Sequence, residues 1–194
     1  MIGRISGKLV LKQPPLLLVD VGGVGYEIEA PMSTFYKLPP LGEAVTLQTH
    51  LTVREDAHLL FGFATATEKV LFRELIKVSG VGPKLALTVL SGVSVEDFWN
   101  TVRAGDVARL TKLPGVGRKT AERLVIEMRD KAGAEGDGGG IKLVADASAL
   151  GEAKSALEAL GYKPAEIQRF TQAVYKDGMT TEQIIQEALK RAVK

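Results

Sequence analysis

Two copies of a Gly-Val-Gly triplet are the part of this chain whose residue types and spacing could do chemistry. Each copy lies between apolar segments with helical spacing, and the copies are 35 residues apart. The aligned residues are Gly80 with Gly115, Val81 with Val116, Gly82 with Gly117, Lys84 with Lys119, and Ala86 with Ala121. The match predicts two related turns, each followed by a helix with a lysine in its first turn.

A turn of this kind can bind an anion through its backbone. Glycine adopts backbone angles closed to other residues, and it lets another surface approach without a Cβ in the way. The helix that follows begins with unpaired N–H groups and the positive end of its dipole. The sequence therefore predicts two phosphate sites, with charge added by Lys84, Arg118 and Lys119 and with the valines turned inward as anchors. Such a site binds phosphate without reading a base.

Other glycine-rich motifs fit these turns less well. A P-loop ending in Lys119-Thr120 would need glycines where Leu113 and Arg118 stand. A dinucleotide-binding fingerprint would need a third glycine at position 85 or 120 and a strand before it, whereas the preceding segments have helical patterns. Two ordinary helix-ending turns remain an alternative. The repeated Lys and Ala favour a shared binding role.

The periodicity of the apolar residues indicates the elements that position these turns. Residues 1–64 predict strands over Ile2–Leu11, Leu16–Val21, Val24–Ala30, Val45–Val53 and His58–Phe63. Five short strands predict a small closed barrel, for which the OB-fold is the commonest architecture. Residues 65–132 change to a helical period and predict helices over Glu68–Lys77, Pro83–Leu90, Val95–Arg103, Val107–Lys112 and Lys119–Asp130.

The last third of the chain predicts a linker and a separate helical domain. Residues 133–140 include five glycines, and a flexible linker is expected over residues 133–147 because such a segment cannot repay the entropy of ordering. Three apolar stripes in residues 148–194 predict a three-helix bundle. The predicted fold is therefore α+β and multidomain: a five-stranded OB-fold barrel, an all-helical middle domain and a C-terminal three-helix bundle.

The distribution of charge points to the same middle region. The formal net charge is only +2, but residues 65–133 carry twelve Lys or Arg against eight Asp or Glu. Residues 1–64 carry five basic and six acidic residues, and residues 134–194 carry eight and nine. A nucleic-acid footprint is therefore expected in the middle third. No segment has the pattern of a signal peptide or a membrane helix, so a cytoplasmic protein with no membrane partner is expected.

The sequence offers no recognisable catalytic constellation. There is no cysteine, His50 and His58 are the two histidines, and both lie in predicted strands. No carboxylate spacing singles out a metal pair, so neither a cofactor nor enzymatic activity is expected. The main alternative is a DNA-repair glycosylase or nuclease, which would need a base-flipping pocket or metal-binding carboxylates.

A single-strand binder built on the barrel is a second alternative. Such a barrel should be basic and should expose aromatic residues for base stacking, whereas residues 1–64 have a net charge of −1. The aromatic residues of this region are expected to be core or interface residues: Tyr26, Phe35, Tyr36, Phe61 and Phe63. Trp99 is expected in the helical core.

Taken in order, motifs along the whole chain resemble those of the RuvA family of bacterial Holliday-junction-binding proteins. The barrel begins with Met-Ile-Gly-Arg-Ile-Ser-Gly and carries Asp-Val-Gly-Gly-Val-Gly-Tyr at 20–26. It ends with Arg-Glu-Asp-Ala at 54–57 and Leu-Phe-Gly-Phe at 60–63, and Leu-Gly-Tyr follows at 160–162. The resemblance identifies the paired turns as tandem helix-hairpin-helix motifs.

The resemblance implies a homotetramer, sometimes paired into an octamer, that holds four-way junction DNA open and planar. It implies phosphate contacts by Gly80, Val81, Gly82, Lys84, Gly115, Val116, Gly117, Arg118 and Lys119. It also assigns Glu55 and Asp56 to an acidic pin at the tetramer centre, where carboxylates repel phosphate. The C-terminal domain would dock on the RuvB ATPase, which drives branch migration, and a related complex would include the RuvC resolvase. From the sequence alone, Glu55 and Asp56 could also be ordinary solvated acids in a turn.

Overall fold

The computed structural model describes residues 1–134, 149–176 and 178–192. Most of the predicted linker, residues 135–147, lies outside the described residues. The chain divides into two compact units, Met1–Ile141 and Lys142–Lys194, and each is described by itself.

Five strands of the first unit form a closed barrel. They are β1 (Arg4–Gln13), β2 (Leu16–Val21), β3 (Val24–Glu29), β4 (Ala44–Val53) and β5 (His58–Phe63). The order around the barrel is β1-β2-β3-β5-β4; β3 and β5 pair in parallel and the other neighbours are antiparallel. This is the predicted five-stranded OB-fold barrel. The four-residue helix α1 (Met32–Phe35), between β3 and β4, has no sequence period of its own and was not predicted.

Buried and outward-facing residues alternate along the strands, and the buried residues form the barrel core. On β4, Val45, Leu47 and Thr49 are buried, whereas the residues between them face outward. Val45 and Leu47 pack with Leu9, Leu17, Val19 and Ile28 of the first three strands, each of these four completely buried. One face of each strand therefore forms the core, as the period of two predicts.

Five helices follow the barrel in the same unit. They are α2 (Ala66–Leu75), α3 (Pro83–Gly92), α4 (Val95–Ala104), α5 (Val107–Leu110) and α6 (Arg118–Ala134). Helix α2 begins two residues before the prediction because Thr65 and Glu68 form a capping box. Helix α6 continues through Gly133 and Ala134, which the sequence assigns to the linker.

The barrel and the helices share a hydrophobic contact. Phe61 and Phe63 of β5 point out of the barrel and belong to the helical core. Their ring centroids lie 5.0 and 4.9 Å from that of Phe72 on α2. Trp99 is 4% exposed in the same core, as predicted. The contact through Phe72 connects the strands to the helices that carry the two turns.

The second unit contains the predicted three helices. They are α7 (Ala149–Ala159), α8 (Pro164–Val174) and α9 (Thr181–Ala192), and each packs on the other two. Leu157, Ile167, Phe170 and Ala188 form the core. A capping box begins α9: the Thr180 N–H donates to Gln183 Oε1 at 3.0 Å, and the Gln183 N–H donates to Thr180 Oγ1 at 3.4 Å.

Candidate nucleic-acid interface

The two Gly-Val-Gly turns have the same backbone construction. Gly80 and Gly115 have φ angles of +86° and +77°, a region that residues with a side chain rarely adopt. The Val81 N–H donates to the Val78 carbonyl at 3.0 Å, and the Val116 N–H donates to the Leu113 carbonyl at 3.1 Å. Both valine side chains are 5% exposed. The valines therefore anchor the turns, with their side chains buried and their N–H groups bonded within the turn.

At Gly82 and Gly117, glycine is not explained by the backbone angle. Both have ordinary backbone angles, and a Cβ added at either residue would meet no atom within 4 Å. The fold itself therefore does not require glycine at these two positions. What glycine leaves is open space directly over the backbone, which suits the close approach of an external group.

Unpaired backbone donors surround these open glycines. The Gly82 carbonyl accepts the Ala86 N–H at 3.0 Å, and the Gly117 carbonyl accepts the Ala121 N–H at 2.9 Å, which begins each helical ladder. Within the described residues, no acceptor is present for the N–H groups of Gly82, Lys84 and Leu85, or for those of Gly117, Lys119 and Thr120. Each turn thus presents several donors at the positive end of a helix.

The basic side chains beside the turns differ in how free they are. Lys84 and Lys119 are exposed, and neither forms an ion pair with any described residue. The Arg118 side chain is 86% exposed, but its Nε lies 2.9 Å from Glu122 Oε1. The charge of Arg118 is therefore partly balanced before any ligand binds.

Two cross-contacts bring the turns together. Leu85 of α3 reaches the second turn, so that a Cβ added at Gly115 would lie 3.3 Å from Leu85 Cδ1. Arg123 of α6 reaches the first turn and donates to both the carbonyl and the hydroxyl oxygen of Ser79, each at 3.3 Å. Sequence reasoning missed Arg123, although its spacing four residues after Lys119 places both on one helical face.

The predicted acidic turn lies at the tip of the β4–β5 hairpin. The Arg54 N–H donates to the Ala57 carbonyl at 2.8 Å and closes the turn. Glu55 and Asp56 between them are exposed, and no ion pair joins either to a described residue. Two carboxylates therefore project into solvent from a short, closed hairpin.

The two histidines occupy different environments. His50 on β4 packs edge-on against Phe72, and its pKa is lowered by burial and by the nearby charges of Arg73 and Lys69. His58 is exposed at the start of β5. In the described part of the chain, no group of three or more His, Asp or Glu side chains could hold a metal ion, and no helix could span a membrane.

The aromatic residues of the barrel region divide in two. Phe35, Phe61 and Phe63 are buried, and Tyr26 packs against the barrel core. Tyr36 is 78% exposed, so of the two predicted positions, core or interface, it does not occupy the core. It lies directly after the short helix α1, whose one turn buries only Thr34 and Phe35.

Three family models match successive parts of the chain. Residues 1–62 match the RuvA N terminal domain, residues 72–130 match the SAM-like helix-hairpin-helix tandem, and residues 148–193 match the RuvA C-terminal domain. The matched segments correspond to the barrel, the region of the paired turns and the three-helix unit.

Relatives match over the full length. A protein of Thioalkalivibrio sulfidiphilus is 56% identical over 201 residues, and one of Stenotrophomonas maltophilia is 51% identical over 197, each covering 100% of both chains. A protein of Shewanella frigidimarina is 53% identical over 202 residues, covering 98% of both. All three are named Holliday junction branch migration complex subunit RuvA. The architecture, the three family matches and this identity together establish that the chain belongs to the RuvA family.

Proposed function

We propose that this chain is the non-catalytic, junction-binding subunit of a Holliday junction branch migration complex. The observation that carries the proposal is the pair of open glycines, Gly82 and Gly117, each beside unpaired N–H groups. Both turns also lie beside exposed lysines, and cross-contacts hold them together. This combination suits the phosphate backbone of a duplex arm, which it would grip without reading sequence. The names of the relatives support the same function.

Within this proposal, four copies of the chain surround one four-way junction and hold it open and planar. Each copy grips an arm through Gly80, Gly82, Lys84, Gly115, Gly117, Arg118 and Lys119, with Val81 and Val116 fixing the turns. Glu55 and Asp56 act as the central pin, because exposed carboxylates on a closed hairpin repel phosphates and separate strands at the crossover. Their role is geometric and involves no bond cleavage.

The partners of the complex are also part of the proposal. The C-terminal unit docks on the RuvB ATPase, which supplies the energy for migration, and an alternative assembly includes the RuvC resolvase. Leu160 is a candidate docking residue, since it is 61% exposed beside Gly161, where the chain turns with a φ of +94°. Removing residues 135–194 should leave junction binding intact and abolish ATP-driven migration. Normal migration by that truncated chain would remove the C-terminal unit from the coupling role.

The proposal is tested by measuring binding of the full-length chain to a four-way junction, a duplex and a single strand of matched sequence at equal salt. We expect the junction to bind most tightly, with no cleavage of any substrate in the absence of partners. Equal affinity for junction and duplex would contradict the proposal. Cleavage that depends on added metal would instead favour the DNA-repair nuclease.

The acidic pin has a separate test. Glu55→Gln with Asp56→Asn removes two charges per protomer while keeping side-chain size. Because charge repulsion is strong within the screening length of about 8 Å, duplex affinity should rise more than junction affinity, and junction selectivity should fall. Unchanged selectivity in a variant of normal oligomeric state would reduce the two residues to ordinary surface acids.

A further inference from the structure

Three basic residues lie on the strand and the helix that pack together where the barrel joins the helices. His50 lies on the outer face of β4, and Lys69 and Arg73 lie one helical turn apart on α2, which packs on that strand. The His50 ring lies edge-on to Phe72 with centroids 5.6 Å apart, and the Lys69 ammonium donates to the Gly3 carbonyl at 2.9 Å. We call His50, Lys69 and Arg73 the seam cations.

Within the part of the chain that the structure describes, no carboxylate forms an ion pair with a seam cation. Across the β1–β4 ladder, the nearest charged residue is Arg4, which pairs with Gln48, and β5 places the apolar Phe61 directly opposite His50. Burial and the charge of Arg73 lower the pKa of Lys69.

The two carboxylates of α2 are engaged elsewhere. Glu68 is 4% exposed, caps the helix at Thr65 and lies 3.6 Å from the Lys37 ammonium. Glu74 pairs with Lys77 and Lys131. Lys69 and the exposed Arg73 therefore carry like charges beside the partly buried His50, and an anion at this position would offset their mutual repulsion.

We propose that the seam cations bind backbone phosphates of the DNA arm between the acidic turn and the first hairpin turn. This inference rests on the proposed function. Strand β4 continues from His50 to the acidic turn at Glu55, a distance of at most roughly 17 Å for five extended residues. Helix α2 leads from Arg73 toward Gly80. One DNA strand carries a phosphate about every 3.4 Å, so several phosphates fall within such an interval.

The salt dependence of junction binding tests the site. Lys69→Gln with Arg73→Gln should make the log–log salt slope shallower by about 1.8, at about 0.9 per lost phosphate contact. Between 50 and 200 mM salt, the unmodified chain should therefore lose about 12-fold more affinity than the variant. The matched control is Lys154→Gln with Lys176→Gln, which removes two exposed charges from the C-terminal unit and should leave the slope unchanged.

The pH dependence of junction affinity tests the contribution of His50 separately. His50 is mostly neutral at neutral pH because its pKa is lowered, and a bound phosphate favours its protonated form. Junction affinity should therefore increase as pH falls from about 7.5 to 5.5, through the usual range of a histidine. His50→Gln should remove part of this increase. His58→Gln should retain it, and these are the only histidines in the chain.

Three results would overturn the inference. The first is a Lys69/Arg73 variant with the salt slope of the unmodified chain. The second is an altered oligomeric state of that variant by light scattering, which would place the seam cations at a contact between protomers. The third is an equal pH response in the two histidine variants. Failure of the unmodified chain to prefer a junction over duplex would instead overturn the proposed function, and that measurement requires none of these variants.

Discussion

The two hairpin turns share a backbone but differ in the side chains around it. In both, a glycine of positive φ is followed by a buried valine and an open glycine. The first turn leads into α3 through Pro83, with Lys84 unpaired among the described residues. The second turn leads into α6 through Arg118, which is already bound to Glu122, and then through Lys119.

This difference indicates that the backbone of the turn must be the same in both copies, whereas the charged side chains around it can differ. The backbone donors and the open glycine require one exact turn, and both copies have it. The lysine and arginine side chains attract phosphate over a longer range, and this attraction does not require a fixed geometry. We therefore expect the turns to contribute similarly through their backbones and unequally through their charges.

The largest effect should come from filling both open glycines. Gly82→Val with Gly117→Val places side chains where phosphates would approach, so junction affinity should fall sharply, with the salt slope shallower by about 0.9 per lost contact. Stability should change little beyond about 1 kcal/mol for each poorer N-cap. Fluorescence anisotropy with a labelled junction measures the binding. Tight binding by the folded double variant would show that the turns do not contact DNA.

The next effect concerns stability. Gly80→Ala and Gly115→Ala force a residue with a Cβ into the left-handed region, at a cost of about 1–2 kcal/mol each. Gly115→Ala should cost more, since its Cβ would lie 3.3 Å from Leu85 Cδ1, against 3.7 Å from Arg123 Nη1 at Gly80. Urea unfolding of both variants measures the difference. A larger loss of unfolding free energy in Gly80→Ala would show that the Leu85 side chain moves aside more readily than the Arg123 side chain.

A smaller effect should distinguish the cations. Lys84→Gln and Lys119→Gln should each reduce the salt slope by about 0.9, whereas Arg118→Gln should reduce it less because Glu122 already balances part of that charge. Junction titrations at four salt concentrations provide the slopes. Equal reductions in all three variants would mean that Arg118 leaves Glu122 completely on binding DNA.

The smallest effect should come from freeing Arg118. Glu122→Gln removes its partner, and an exposed pair of this spacing is worth about 0.3–0.5 kcal/mol. Junction affinity should therefore rise about twofold, with a stability loss of a few tenths of a kcal/mol. The control is Glu127→Gln, an exposed acid on the same helix with no ion pair in the described structure. A comparable increase in junction affinity in the Glu127→Gln control would show that the effect comes from the change in net charge alone.

The sequence by itself determined the elements and the turns. Alternation predicted five strands within a few residues of their ends, and the 35-residue repeat located both hairpins, because strand faces and glycine turns are local properties of the chain. The buried positions of Val81 and Val116 followed from the same local pattern. Helix ends were less predictable: α2 starts earlier through the Thr65–Glu68 capping box.

Only the tertiary structure decided which residues meet. The sequence shows Gly80 and Gly82 as equivalent glycines, but the first is required by its backbone angle and the second by nothing inside the chain. Residues 44 positions apart, Ser79 and Arg123, join the two turns, and His50 of β4 packs against Phe72 of α2. Such contacts depend on the packing of Phe72 against β5, and packing between distant segments has no period in the sequence from which it could be predicted.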